Sequence, residues 1–126
     1  MSKQVLKIIS DAMNSLGLEY DFGTYKKNPV VYPYFVGEYQ ETEPMTEDGL
    51  QETTFLLSGF NRGEWLVLEE AIDKFEKYFG YGGKTVIADN GSAVAVFYAG
   101  TLIVPTGDAE LTKIQVNLRI KEWKVN

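Results

Sequence analysis

The side chains that could carry out chemistry are restricted in type, because the sequence contains neither histidine nor cysteine. The chain therefore has no thiolate or imidazole to bind a metal, no cysteine nucleophile, no disulfide and no histidine general base. A Ser-His-Asp triad is excluded for the same reason. The remaining candidates are the 18 acidic side chains and one glycine-rich segment.

The glycine-rich segment Gly80-Tyr81-Gly82-Gly83-Lys84-Thr85 resembles the end of a phosphate-binding loop. Such a loop needs a further glycine five residues before Gly83, where this sequence has Tyr78. It also follows a strand and precedes a helix, whereas here a helical pattern comes first and a strand pattern follows. We interpret the segment as a turn between a helix and a strand.

The acidic side chains are concentrated in residues 38–52. This segment contains no base and six acids, whose summed charge equals the formal net charge of −6 of the whole chain: Glu38, Glu41, Glu43, Glu47, Asp48 and Glu52. Pro44 and Gly49 within it predict a long solvated loop or hairpin tip rather than an ordered element.

Paired carboxylates can hydrolyse glycosides or bind Ca²⁺ without histidine. The acidic segment shows no apolar surroundings that would raise a pKa, and it lacks the spacing of a Ca²⁺ loop. The other acids fall on the polar side of a predicted helix, among lysines. We therefore expect a protein that is not an enzyme and that has no catalytic residue, no bound metal and no cofactor.

Two helical patterns are present. Ser2 is suited to an N-cap, apolar residues recur at three- and four-residue steps, and Gly17 follows, so a helix is predicted over residues 2–16. An apolar stripe from Trp65 to Phe79 predicts a second helix over about residues 64–79.

Strand patterns occupy much of the rest. Residues 30–36 predict a strand that lies at an edge of the sheet or is broken at Pro33, and residues 18–28 before it predict a loop. Residues 53–60 are apolar on both faces, which predicts a central strand covered on both sides. Asn90-Gly91 predicts a hairpin between residues 85–88 and 92–98.

The last strand has the clearest pattern. Ile114, Val116, Leu118 and Ile120 alternate with polar and basic residues, so a half-buried strand with a basic outer face is predicted, and a register change is expected at Glu122. Together these patterns predict a single α+β domain over residues 1–126. Its order is α-β-β-α-β-β-β, with two helices packed on one face of a mostly antiparallel sheet.

Two sets of residues are candidates for protein contacts. Aromatic residues cluster beside the first predicted strand, and their two interpretations, core packing and an interface, remain open for Tyr32, Tyr34 and Tyr39. The basic face of the last strand is either ordinary solvation or a partner for the acidic segment of a neighbouring subunit. Its residues are Lys113, Arg119, Lys121 and Lys124.

The charge and hydropathy limit the other partners. An acidic chain with a sequence pI near 4.6 argues against nucleic-acid binding, because such proteins normally carry a basic excess. No apolar stretch is long enough to span a membrane, and the first residues lack the apolar core of a secretory signal. We expect a cytoplasmic protein with no specific nucleic-acid ligand and no membrane association.

The order of elements and certain segments resemble a known family. The segments are the amphipathic first helix, Pro29–Val36, the acidic loop, Thr53–Phe60, the helix with Leu68–Ile72, and the closing hairpin and strand. In these the chain resembles the tail terminator (tail-completion, or minor tail) proteins of long-tailed bacteriophages and prophages. The family has no catalytic residues to carry over.

The resemblance implies a structural subunit that forms a ring, expected to be a hexamer. Such a ring caps the tail tube and joins it to the head, so its partners would be its own copies, the tail tube protein and the head-side connector. It would be found in the host cytoplasm during assembly and then in the virion tail. Two alternatives remain: another head–tail joining protein of a phage neck, or an acidic cytoplasmic inhibitor such as an immunity protein.

Overall fold

The computed structural model describes residues 1–41, 49–80 and 82–124. Within these residues the chain forms two helices and six strands, an α+β fold as predicted. In chain order they are α1 (Lys3–Ser15), β1 (Glu19–Phe22), β2 (Tyr34–Glu41), β3 (Leu50–Arg62), α2 (Leu66–Phe79), β4 (Lys84–Ile87), β5 (Ala93–Val104) and β6 (Leu111–Trp123).

Both predicted helices are confirmed to within two residues. Ser2 is the N-cap of α1, and its hydroxyl oxygen accepts a hydrogen bond from the amide of Val5 at 3.4 Å. Gly17 follows the end of α1 with a φ of 71°, a conformation that favours glycine. Helix α2 ends at Phe79 in the same way, since Gly80 has a φ of 66°.

The six strands form one mixed sheet in the order β1-β2-β3-β6-β5-β4. β1 runs parallel to β2, and all other neighbouring pairs are antiparallel. The centre of the sheet is the long pair β3–β6, which extends from Leu50 opposite Trp123 to Arg62 opposite Leu111. The predicted hairpin is confirmed as the pair β4–β5.

Helices α1 and α2 share one hydrophobic core with the sheet. Alternate residues of β3 and β6 are buried, and their apolar members join buried residues of both helices in a single cluster. Phe35 of β2 contacts Phe75 of α2 edge to face, with ring centroids 5.5 Å apart. We call this side of the sheet the inner face and the opposite side the outer face.

The start of the sheet differs from the prediction in two ways. The predicted loop over residues 18–28 begins with β1, so the order becomes α-β-β-β-α-β-β-β. Because β1 pairs with Tyr34–Gly37, this part of β2 is not an edge of the sheet. The predicted break at Pro33 does occur, since β2 begins at the next residue. β1 was missed because four residues are too short to show a periodic pattern.

The covering of β3 also differs from the prediction. β3 is central, but its outer-face residues are only half buried, and both helices pack on the other face. No register change occurs at Glu122, whose side chain continues the buried alternation of β6. Within the described residues, no helix is long and apolar enough to cross a membrane.

The predicted loop over residues 38–52 is wrong at both ends. Glu38–Glu41 belong to β2 and Leu50–Glu52 belong to β3, and the two strands pair so that Glu41 lies opposite Thr53. Ladder hydrogen bonds and alternation of the side chains place these acids in strands despite their charge. Glu43, Glu47 and Asp48 lie outside the described residues.

Candidate interaction surface

The outer face of the sheet carries most of the candidate residues that the structure describes. Lys113 lies opposite Phe60, Arg119 opposite Thr54 and Lys121 opposite Glu52, so the three bases point away from the helices. The alternation in the sequence of β6 therefore predicted this basic surface correctly. Lys124 follows the end of β6, and its amide donates to the carbonyl of Gly49 at 3.0 Å.

A row of aromatic rings crosses one end of the outer face. Tyr34 stacks on Tyr25 with ring centroids 4.2 Å apart and on Phe60 with centroids 5.0 Å apart. Lys113 Nζ lies 5.2 Å from the centroid of Phe60 and extends the row onto β6. Tyr32 is tilted against Tyr34 at 5.6 Å. Burial, with smaller contributions from Tyr32 and Tyr25, raises the pKa of Tyr34.

The third candidate tyrosine lies elsewhere. Tyr39 pairs with Phe55, which is on the inner face, and its ring stacks on Phe22 at a centroid distance of 6.0 Å. Tyr32, Tyr34 and Tyr39 therefore do not form one surface. The cause is the period of two in a strand, which sends Tyr34 and Tyr39 to opposite faces.

Opposite charges on the outer face are only partly paired. Lys121 Nζ and Glu52 Oε1 are 3.7 Å apart, and Lys27 Nζ and Glu19 Oε1 are 3.0 Å apart. In the described part of the chain, neither Glu38 on β2 nor Arg119 on β6 takes part in an ion pair, and both are exposed. The face therefore presents a free acid towards one side of the sheet and a free base towards the other.

Glu41 is separated from these acids because it points to the inner side of β2. Its carboxylate forms an ion pair with the amino group of Met1. The amino group of Met1 also donates a hydrogen bond to this carboxylate, and this bond is the largest cause of the lowered pKa of Glu41. The positive charge of the amino group is the next cause, and the charge of Lys124 contributes less.

A buried polar group that the sequence reasoning missed lies at the start of α1. Glu122 is only 2% exposed, and its Oε2 accepts a hydrogen bond from the Ser2 hydroxyl at 2.5 Å. Its cross-strand neighbour Gln51 is also buried. The available signal is a carboxylate at a buried position in the alternation of β6, for which the sequence predicts a change of register instead.

The clefts of the described structure contain few carboxylates, and one of them is lined by Glu19, Tyr32, Glu70 and Lys74. Another, with a volume of about 680 Å³, is lined by Glu76, Lys77, Gly80, Tyr98 and Gly100 and holds a single carboxylate. No group of three acidic residues that could hold a metal ion occurs in the described ranges. Lys84, from the glycine-rich segment, places its Nζ 3.7 Å from the ring centroid of Tyr78.

The outer face, which no described helix covers, therefore presents a broad surface with aromatic rings and charges of both signs. Comparison of the sequence with known protein families and with curated proteins finds no match.

Proposed function

We propose that this protein is a ring-forming structural subunit of a long-tailed phage that caps the tail tube and joins it to the head. The resemblance to tail terminators suggests this function. The structural observation that best supports it is the open outer face of the sheet. There Glu38 on β2 and Arg119 on β6 have no ion-pair partner in the described chain.

A closed ring requires a head-to-tail contact, in which two different surfaces of one subunit meet those of its neighbours. The free acid Glu38 on β2 and the basic surface on β6 satisfy this requirement, because each attracts the other in a neighbouring copy. The aromatic row of Tyr25, Tyr34 and Phe60 adds contact area at low entropic cost. In the proposed ring these surfaces carry the contacts between copies and with the tail tube protein and the head-side connector.

The proposed role of the acidic segment is to line the channel of the ring or to face the tube. Negative charge along the channel would repel DNA that passes through it and prevent it from adhering. Of the described acids of this segment, Glu38 and Glu52 lie on the outer face, and Glu52 is directly opposite Lys121.

The acidic inhibitor remains the alternative from another functional class. An inhibitor that binds a basic toxin by charge needs a surface of one sign. Lys113, Arg119 and Lys121 lie on the same face as Glu38, and a basic partner would meet repulsion there. This observation favours the ring-forming subunit, or another neck protein of similar design, over the inhibitor.

Electron microscopy of the protein mixed with its own tail tubes tests the proposal. We expect tubes of uniform length with an additional density at one end. Tubes that grow without limit in the presence of the protein would contradict a terminator function.

Charge reversal tests whether the outer face carries the contacts. We expect Arg119→Glu to abolish end densities at physiological salt, because it places two acids where the proposed contact needs opposite charges. Lys3→Glu is the matched control, since it makes the same change on an exposed residue in the first turn of α1, where an acid is favourable. Equal behaviour of the two variants would remove Arg119 from the interface.

A further inference from the structure

The sheet has a stepped outline at both ends. At one end, β4 pairs only with Ala93–Val96, so the rest of β5 has no strand on that side in the described structure. At the other end, β1 pairs only with Tyr34–Gly37 of β2. Each end therefore consists of a short strand beside an uncovered stretch of a longer one.

The two steps lie in the same cross-strand rows of the sheet. Following the registers, Glu19 shares a row with Tyr34, Phe60, Lys113 and Val104. In the same way Phe22 shares a row with Gly37, Leu57, Val116 and Thr101. The four residues of β1 and the uncovered residues Thr101–Val104 thus occupy the same four rows at opposite ends of the sheet.

The strand directions are also compatible. β1 is parallel to β2, and the direction then alternates through β3, β6 and β5, so β1 and β5 run in opposite directions. A second copy in the same orientation would bring its β1 beside β5 as an antiparallel neighbour. Uncovered backbone donors and acceptors at a sheet edge favour this kind of strand addition.

We propose that β1 of one copy of this chain pairs with Thr101–Val104 of the next copy, so that the sheet continues from subunit to subunit. The inference rests on the proposed ring-forming function, which needs a contact between copies. Because the two edges differ, the contact is head-to-tail and leaves each copy with one edge of each kind for its neighbours, as a ring requires.

The side chains at these edges support the pairing. Ile103 is 67% exposed and would lie opposite Tyr20 on the inner side. Phe22, which is 40% exposed, would lie opposite Thr101, beside the cleft that Tyr98 and Gly100 line. Burying Ile103 and Phe22 removes apolar surface from water, which favours association.

The charges on the outer side agree with the same arrangement. Glu19 of the added strand would share a row with Lys113, separated from it only by Val104. Glu19 already pairs with Lys27 at 3.0 Å, and Asp21 with Lys26 at 3.8 Å, so Lys113 of the neighbouring copy would be a second basic partner for Glu19. The carbonyl of Phe22 on β1 already accepts hydrogen bonds from the amide of Thr24 and from Lys26 Nζ, and these would have to give way to a ladder bond at that residue.

Cross-linking tests this contact cleanly, because the natural sequence contains no cysteine. Glu19→Cys and Val104→Cys chains are treated with a short bis-maleimide, at high concentration alone and in the presence of tail tubes. We expect no product from either single variant, dimers from their mixture, and a ladder of oligomers from the double variant. Pairing Glu19→Cys with Leu66→Cys, which is more exposed than Val104 but lies on α2, is the control and should give none.

Each outcome of this experiment supports or overturns the inference. Dimers of Val104→Cys alone would show that β5 pairs with β5 and would overturn it. Tubes that terminate normally without any Glu19–Val104 product would overturn it while leaving the proposed function intact. A ladder from a protein that does not terminate tubes would support the contact and contradict the terminator function.

A second variant guards against disturbance by the cysteines. Ile103→Lys places a charge on the uncovered edge, and we expect it to reduce the cross-linked products of the double variant by about tenfold or more, since charges block edge pairing. Leu66→Lys, with a similarly exposed side chain, should leave the yield unchanged. Equal yields from both would overturn the inference, provided that each variant retains the thermal unfolding of the parent chain.

Discussion

Gly59 shows how closely single residues fit in the core. A Cβ at this position would lie 2.4 Å from the ring of Phe35, which packs directly over the glycine. We expect Gly59→Ala to lower the free energy of unfolding by about 1–3 kcal/mol, the usual cost of overpacking. Urea denaturation measures this change. Gly82→Ala is the control, because nothing lies within 4 Å of its Cβ, and equal losses in both variants would contradict the argument.

Tyr20 should make stability depend on pH in the alkaline range. Burial, helped by the charge of Asp21, raises the pKa of this phenol to about 12. Between its ordinary pKa and 12 the unfolded chain releases a proton that the folded chain keeps, so the stabilising effect is present below pH 10 and is lost as the pH rises.

We therefore expect the urea midpoint of the natural protein to fall more between pH 9 and about 11 than that of Tyr20→Phe. The hydroxyl of Tyr20 is buried without a hydrogen-bond partner, so its removal should cost little at neutral pH. Identical pH profiles for the two proteins would show that the phenol titrates as freely in the folded chain as in the unfolded one.

At the scale of elements, the start of α1 is tied to the end of β6 through one hydroxyl. Ser2 caps the helix and donates to the buried carboxylate of Glu122. We expect Ser2→Ala to lower the free energy of unfolding by about 2–3 kcal/mol, because it removes the cap and leaves a buried acceptor unpaired. Thermal or urea unfolding provides the measurement, and Ser10→Ala within the same helix should be nearly neutral.

Ser2→Asp separates the two contributions. Aspartate is as good a cap as serine but would place a second carboxylate beside Glu122. This variant should be at least as unstable as Ser2→Ala. If Ser2→Asp matched the natural protein, capping alone would explain the role of Ser2.

The elements that the sequence predicted well are those with strong local signals. Both helices have an apolar stripe ending at glycine, Asn90-Gly91 marks the β4–β5 hairpin, and β6 alternates along most of its length. The missed features depend on partners far along the chain. β1 exists because β2 offers it an edge, and Glu122 is tolerated inside because Ser2 reaches it. The sequence also did not show that Tyr34 and Tyr39 lie on opposite faces. The face on which a strand residue lies can be assigned only when the limits of the strand are known.

At the scale of the whole molecule, the acidic segment should affect function without affecting the fold. We expect replacement of Glu41, Glu43, Glu47, Asp48 and Glu52 by Asn or Gln, with Glu38 kept for the proposed contact between copies, to preserve rings and tube ends but to slow DNA delivery, because the proposed channel would no longer repel the duplex. Particle counts and infectivity measure the two effects. Undiminished infectivity would remove the segment from the proposed mechanism. Glu52→Gln alone is the control for loss of the ion pair with Lys121.

The central β3–β6 pair has a kinetic consequence. Its partners lie roughly fifty to seventy residues apart, and loop closure over such distances makes folding slow, on the order of milliseconds to seconds. Until β6 arrives, the apolar residues of β3 have only β2 on one side, so a nascent or truncated chain without β6 exposes an aggregation-prone strand. We therefore expect a chain that is cut before β6 to aggregate during synthesis, and the full chain to stay in solution once β6 has paired with β3.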